Sequence, residues 1–326
     1  MLSVPRSLPM IVIAAVALTG CANVGASLTP GVKPTTTATG QLTVENCGTS
    51  VDFDTVPERV VTIKSSTTEM LLALGLGDHI VGTAFQDGPV PSGWADAAAN
   101  LPVLSDQVPS EEVVLETAPD LVYAGWESNF SADGAGERAD LAALGIASYV
   151  SPSACRGDNQ PPKITFESIF ADIEEVAAIF RVDASELITE QRSTLATIQK
   201  LGDGQTALWY SSGADTPYVG AGIGAPELLL ETIGLTNIAA DIDAAWAPLS
   251  WESIVDANPN FIVLVDAAWN TADSKMATLE SNPATANLDA VKFRRYLIIP
   301  FAASEAGVRS VGAAADLATQ LSQLAG

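Results

Sequence analysis

Residues 165–203 constrain the fold of this chain more than any other stretch, because the sequence before them is built like the sequence after them. Ile169, Phe170, Ile173, Val176, Ala177 and Phe180 recur at helical spacing, and Leu187, Ile188, Gln191, Leu195 and Ile198 continue the pattern. Asp183 with Glu186 three residues on has the form of a capping box, so the stretch predicts two helices or one broken helix. Before it, Ser110-Glu111-Glu112 leads to Pro119-Asp120-Leu121-Val122. After it, Ser250-Trp251-Glu252 leads to Pro259-Asn260-Phe261-Ile262. In each copy a glutamate two places after a capping serine stands seven positions before a proline, and a buried-type strand follows. The Glu69 to Gly75 segment also matches Glu227 to Gly234, in the same order. Two matches in one order indicate an internal repeat: two similar lobes joined by a helical spine, with a cleft between them.

Each repeat alternates strands and helices. Val60–Ile63, Ile80–Thr83, Leu121–Ala124 and Ile146–Val150 read as strands of the first lobe, and Thr206–Tyr210 and Ile262–Val265 as strands of the second. Helices stand between them, one starting at Thr67 or Thr68, others capped by Ser110 and Ser250 and closed by Gly75, Gly145 and Gly234. This alternation predicts an α/β fold with largely parallel sheets: an N-terminal lobe over 42–164, the spine over 165–203 and a C-terminal lobe over 204–326. Thr43–Cys47 and Val51–Phe53 flank Gly48 as a small hairpin at the start.

The charge excludes one class of partner. With 39 Asp and Glu against 15 Lys and Arg, a net charge of -24 repels phosphate backbones and anionic headgroups, so no nucleic-acid partner is expected. Residues 1–20 read as a targeting segment: Arg6, an apolar run from Leu8 to Leu18, then Leu18-Thr19-Gly20-Cys21. That ending resembles the lipobox of bacterial lipoproteins, which implies acylation of Cys21, loss of the preceding peptide and a cell-membrane location on the extracytoplasmic face. The run is shorter than the roughly 20 residues of a spanning helix, so the membrane contact is through lipid only. Residues 21–41, rich in Thr, Ala, Gly and Pro, read as a flexible tether. Cys47 and Cys155 then remain as a disulfide pair, or as two buried free thiols, in a compartment that permits bridging.

Several segments together resemble the substrate-binding proteins of bacterial ABC importers, in the class that handles ferric siderophores and cobalamin. They are Pro57-Glu58-Arg59-Val60-Val61, Thr68-Glu69 through Leu74-Gly75-Leu76-Gly77-Asp78, Val81-Gly82, the two Glu-to-Pro segments and the linking helix. The resemblance implies a class III periplasmic-binding arrangement, a ligand held between lobes with little hinge motion, an ABC permease and its ATPase as partners, and a monomer. It also implies that Glu112 and Glu252, one per lobe, dock on the permease; their alternative role is that of ordinary helix-start carboxylates.

Ligands of open α/β sheets sit beyond the carboxyl ends of the strands. The residues there are Lys64, Ser65, Ser66 and Thr67, then Trp126 with Glu127, Trp209 with Tyr210, and Trp269, with Trp246 in the loop before the Glu252 helix. Tryptophans at such positions point to a flat or ring-bearing ligand, or else pack the core. Tyr218, Gly220 and Gly222 belong to a glycine-rich turn before a Pro-initiated helix, which with Lys64 offers backbone N–H groups to an anion, or is a turn shaped by geometry alone. Lys64, Arg156, Lys163 and Arg309 are the cations available to a ligand. A single histidine, His79, does not supply a transition-metal shell, and neither a metal nor a cofactor is expected. The wording Val61 to Glu69, Leu121 to Ser128 and Tyr149 to Pro152 is similar to an actinobacterial subgroup proposed to import a precursor of the deazaflavin coenzyme F-420, a ligand with a flat ring and a phosphodiester. Ferric siderophores and cobalamin come next.

Two other classes compete. Gly220 to Ala225 satisfies the form G-x-G-x-x-A, with Asp241 and Asp243 downstream, as in NAD-dependent oxidoreductases, but Tyr218-Val219 is too short for the strand this motif needs. The other is a surface sensor or scavenger with the same fold and no transporter. The sequence has no nucleophile elbow, Walker loop or zincin helix, and the chain is not expected to be an enzyme.

Overall fold

In the computed structural model the described residues are Met1 and 40–325. The targeting segment, Cys21 and most of the tether lie outside them. Two sheets carry the fold. The first is wholly parallel, in the order β5 (Val103–Ser105), β4 (Ile80–Ala84), β3 (Val60–Ile63), β6 (Leu121–Ala124), β7 (Ala147–Val150). Its central strands are buried on both faces, as their unbroken apolar runs require.

The second sheet runs β11 (Trp246–Pro248), β9 (Tyr218–Gly220), β8 (Thr206–Ser212), β12 (Phe261–Asp266), β13 (Tyr296–Pro300), with β10 (Thr236–Asn237) also beside β8. The repeat is visible in the pairing, since β3-β6-β7 corresponds to β8-β12-β13, each parallel and in the same order. The second sheet departs from the parallel expectation at one edge: β9 and β11 pair antiparallel beside β8. Tyr218–Gly220, too short to read as a strand by itself, becomes one through these two neighbours.

Between the sheets the helix Phe166–Phe180 begins at a Thr165–Ser168 capping box and ends at Arg181, whose left-handed backbone (φ 55°) breaks the helix. A second helix covers Ser185–Leu195. Asp183 does not form the expected capping box with Glu186. Its carboxylate accepts from the Ser185 N–H at 2.9 Å, and Ala184 occupies the cap position. Ile169, Phe170, Ile173, Val176, Ala177 and Phe180 are all buried. They join one core containing Val60, Leu121 and Tyr149 from the first sheet and Trp209, Val263 and Leu297 from the second. The opposite face of each sheet has its own smaller core.

The hairpin β1 (Leu42–Asn46) and β2 (Thr49–Phe53) docks on β7. The Asn46 side chain pairs with both backbone groups of Val150, at 2.8 Å each. Arg138 fastens Asn46 to Ser148, and Cys47 is disulfide-bonded to Cys155 across a Cα separation of 5.1 Å.

Candidate functional site

A cavity of about 690 Å³ opens where both sheets present the carboxyl ends of their strands. The first sheet contributes Ser66 beyond β3, Gly125 and Trp126 beyond β6, and Ser151 beyond β7. The second contributes Ser211 and Ser212 at the end of β8, Trp269 beyond β12 and Phe301 beyond β13. Tyr218 and Trp246 close one side, so five aromatic side chains line it among small polar ones. Such a wall suits a flat ring, which gains from edge and face contacts with the aromatics.

Of the expected binding residues, Ser66, Trp126, Tyr218, Trp246 and Trp269 line the cavity. The others have different roles. Trp209 is fully buried in the shared core and Tyr210 in the second sheet's own core, with its hydroxyl donating to the Gly213 carbonyl. The strand runs two residues beyond Tyr210, which places Ser211 and Ser212 at the mouth in their stead.

The glycine-rich turn is closed to an anion around Gly220 and Gly222, while Gly224 and Ala225, where the next helix starts, line the cavity. The N–H groups of Ala221, Gly222 and Ile223 donate to the carbonyls of Ala245, Ile242 and Ala244. Gly220 and Gly222 are glycines because a Cβ would collide with Pro226 and Trp209 in one case and with the Ala240 carbonyl in the other.

The anion site expected at Lys64 is filled by the chain itself. The helix there spans Ser65–Ala73, two residues earlier than Thr67. Asp87, in the loop beyond β4, accepts from the Ser65 N–H at 3.3 Å and forms an ion pair with Lys64. Ser65 Oγ accepts from the Asp87 N–H, and the buried Thr67 hydroxyl donates to the carbonyls of Ile63 and Lys64. Lys64 is fully buried, with Nζ 3.9 Å from the centre of the Trp126 ring and 4.4 Å from that of Phe85. It stands behind the cavity wall. Its backbone (φ 84°, ψ 150°) lies in a region almost reserved for glycine, at a cost of about 1–3 kcal/mol. Gly125 is the matching small residue, since a Cβ there would meet the Lys64 and Ser66 side chains.

Arg309 pairs with buried Glu69 at 3.2 Å and does not line the cavity. Glu127 accepts from the Arg156 N–H at 2.7 Å and so positions the loop that presents Arg156. Sequence reasoning passed over Phe301, Ser304 and Glu305, although they follow β13 as Trp126 follows β6. The same rule applied to β4 would have found Phe85 and Asp87.

Contacts between the two sheets' segments lie at this wall and behind it. Trp126 Nε1 donates to Glu305 Oε1 at 2.6 Å, Glu69 pairs with Arg309, Ile164 N–H donates to the Ile223 carbonyl, and Lys163 pairs with Glu231 at 2.8 Å. Desolvation pushes the Glu69 carboxyl up to about 7 against the lowering effect of Arg309, and Glu305 is likewise raised to about 7 by burial against the effect of Lys64. Asp172, half-buried beside Glu175, is also raised to about 7, by desolvation first and by the Glu175 charge second. These groups hold protons in the folded state that the unfolded chain releases near pH 4.5 for the two glutamates and near 3.8 for Asp172. Their contribution to stability is therefore fullest in acid and is lost as pH rises through 7. Unfolding in urea should show a free energy lower at pH 8 than at pH 5, by on the order of 2 kcal/mol for each of these groups. A flat profile, or one rising with pH, would contradict this assignment.

Glu112 and Glu252 are exposed in the first turns of their helices, behind the Ser110 and Ser250 caps. These helices precede the corresponding strands β6 and β12. Among the described residues no cluster of three or more His, Cys, Asp or Glu is placed to hold a metal, and no helix is long and apolar enough to cross a membrane.

The family described as periplasmic binding protein matches residues 60–303. An uncharacterized ABC transporter substrate-binding lipoprotein of Bacillus subtilis, YvrC, is 25% identical over 95% of both chains. A periplasmic binding protein from Veillonella parvula is similar in structure with a TM-score of 0.76 and 29% identity, over 86% of this chain and 97% of that one. A structure described as an ABC-type Fe3+-hydroxamate transport system from Saccharomonospora viridis has a TM-score of 0.73 and 25% identity, over 87% of this chain and 99% of that one.

Proposed function

We propose that this protein, which belongs to the periplasmic binding protein family and is a solute-binding protein, not an enzyme, captures a ring-bearing ligand between two lobes and delivers it to an ABC permease and its ATPase. The observation that carries this reading is the aromatic-lined cavity at the strand ends of both sheets. The lobes are residues 42–164 and 204–326, held by the 165–203 spine. Acylated Cys21 tethers the protein at the outer face of the cell membrane, a reading supported by its resemblance to YvrC, which is described as a lipoprotein.

The cargo we favour is the deazaflavin coenzyme F-420 precursor, whose flat ring suits Trp126, Trp246 and Trp269. A ferric siderophore and cobalamin are the next candidates, the first supported by the Saccharomonospora structure described as an Fe3+-hydroxamate transport system. With the turn at Gly220 closed by backbone bonds, the anionic part of any of them falls to Arg156, the one basic side chain on the wall.

Titration of the full chain with these three ligands, followed by tryptophan fluorescence, tests the capture step. Saturable quenching by one of them identifies the cargo, and no response to any would refute all three assignments. Delivery is tested separately. Replacing Glu112→Ala and Glu252→Ala together should abolish uptake of that ligand by cells and leave its Kd within about twofold, since exposed helix-start carboxylates away from the cavity contribute little to it. Normal uptake by the double variant would favour a sensor or scavenger.

A further inference from the structure

We propose that Glu305 is a specificity residue: paired with Trp126, it makes the ring end of the cavity selective against anions and directs a ligand's acidic group to Arg156. This rests on the reading of the cavity as the ligand site. Among the described residues, Arg156 and Glu305 are the only charged side chains on the wall. Arg156 is exposed and, among the described residues, its guanidinium makes no ion pair. The cavity thus has one positive and one negative pole.

The charges around Glu305 leave it unmatched. Lys64 is committed to Asp87, with both side chains almost fully buried, and Arg309 is committed to Glu69. Two cations therefore stand among three carboxyls. Glu305 Oε1 holds the Trp126 indole, whose other close contacts are the Lys64 ammonium and the edges of Phe85 and Phe301. Glu305 Oε2 is shut off from solvent with no hydrogen-bond partner. A carboxylate so placed repels a second negative charge laid against Trp126 and tolerates a neutral or donor-bearing ring there. Protonation removes the repulsion, and burial raises this carboxyl far enough for that to happen in mild acid. The chemical class selected is a flat ring, neutral or bearing hydrogen-bond donors at one end, with its carboxylate or phosphate at the other.

Ionic quenchers of the unliganded full chain test this without knowledge of the cargo. The Trp126 emission is taken as the difference between each protein and its Trp126→Phe counterpart, and is quenched with iodide, caesium and neutral acrylamide. At pH 8, Glu305→Gln, which keeps an acceptor for the indole, should raise the iodide constant about twofold to threefold and lower that for caesium, the size expected when one charge in hydrogen-bond contact with the indole is removed and water screens the quencher. At pH 5.5 the two proteins should be alike. Equal rises for all three quenchers would mean that Glu305 only positions the indole, and no change at pH 8 would mean that its charge is not felt at the ring; either result overturns the proposal. Because no ligand is present, neither result bears on the transport reading, which stands or falls by the titration and uptake measurements.

Discussion

Lys64→Met should destabilise the protein by about 3–5 kcal/mol, the usual cost of leaving one partner of a buried ion pair uncompensated. Asp87 still accepts from the Ser65 N–H and donates its own N–H to Ser65 Oγ in such a variant, but its charge, on a side chain only 4% exposed, loses its partner. The methionine stem fills the space between Phe85, Trp126 and Phe301, so lost packing contributes little. Adding Asp87→Asn should restore most of the loss, because a neutral amide no longer needs the ammonium. Urea denaturation of the two variants checks this. If Lys64→Met alone unfolds at the parental midpoint, the pair does not support the wall in the way described.

Replacing both Cys47 and Cys155 by serine should cost about 4–5 kcal/mol, the chain-entropy expectation for a cross-link that closes a loop of this length, here 108 residues. The folded hairpin has other attachments, through Asn46 to Val150 and through Arg138, so the native structure is retained and the loss comes from the freedom given back to the unfolded chain. A reductant should lower the urea midpoint of the parent to that of the variant and leave the variant unchanged. A loss below about 1 kcal/mol would mean that the hairpin already restrains the unfolded chain without the cross-link.

The fold was legible in the sequence wherever a local pattern decided the structure. The spacing of Ile169 to Phe180, the serine caps at 110 and 250 and the apolar runs at Val60 and Leu121 each specify an element by short-range physics, and the repeat placed those elements in two equivalent sets. The site was less legible because it depends on which face of a strand meets the cavity and where the strand ends. Trp209 and Tyr210 read as mouth residues only because β8 was ended two residues early. Gly220 and Gly222 carry the form of a phosphate-binding turn, yet segments at 240 and 242–245, distant from any local signal, take up the space and the N–H groups. Lys64 was found as a cation in the right place, but its pairing with Asp87 depends on β4 lying next to β3. Glu305 carries no local signal of its own and becomes legible only through the strand-end rule at β13.

The core built around Phe166–Phe180 draws side chains from both sheets into one continuous apolar body. Two sheets with the same strand order suggest two folding units, each able to stand alone. Here neither half can shed its partner without exposing Ile173, Trp209 or Tyr149 to water, so both sheets should melt in a single cooperative transition, and neither half should be obtainable as a soluble fragment.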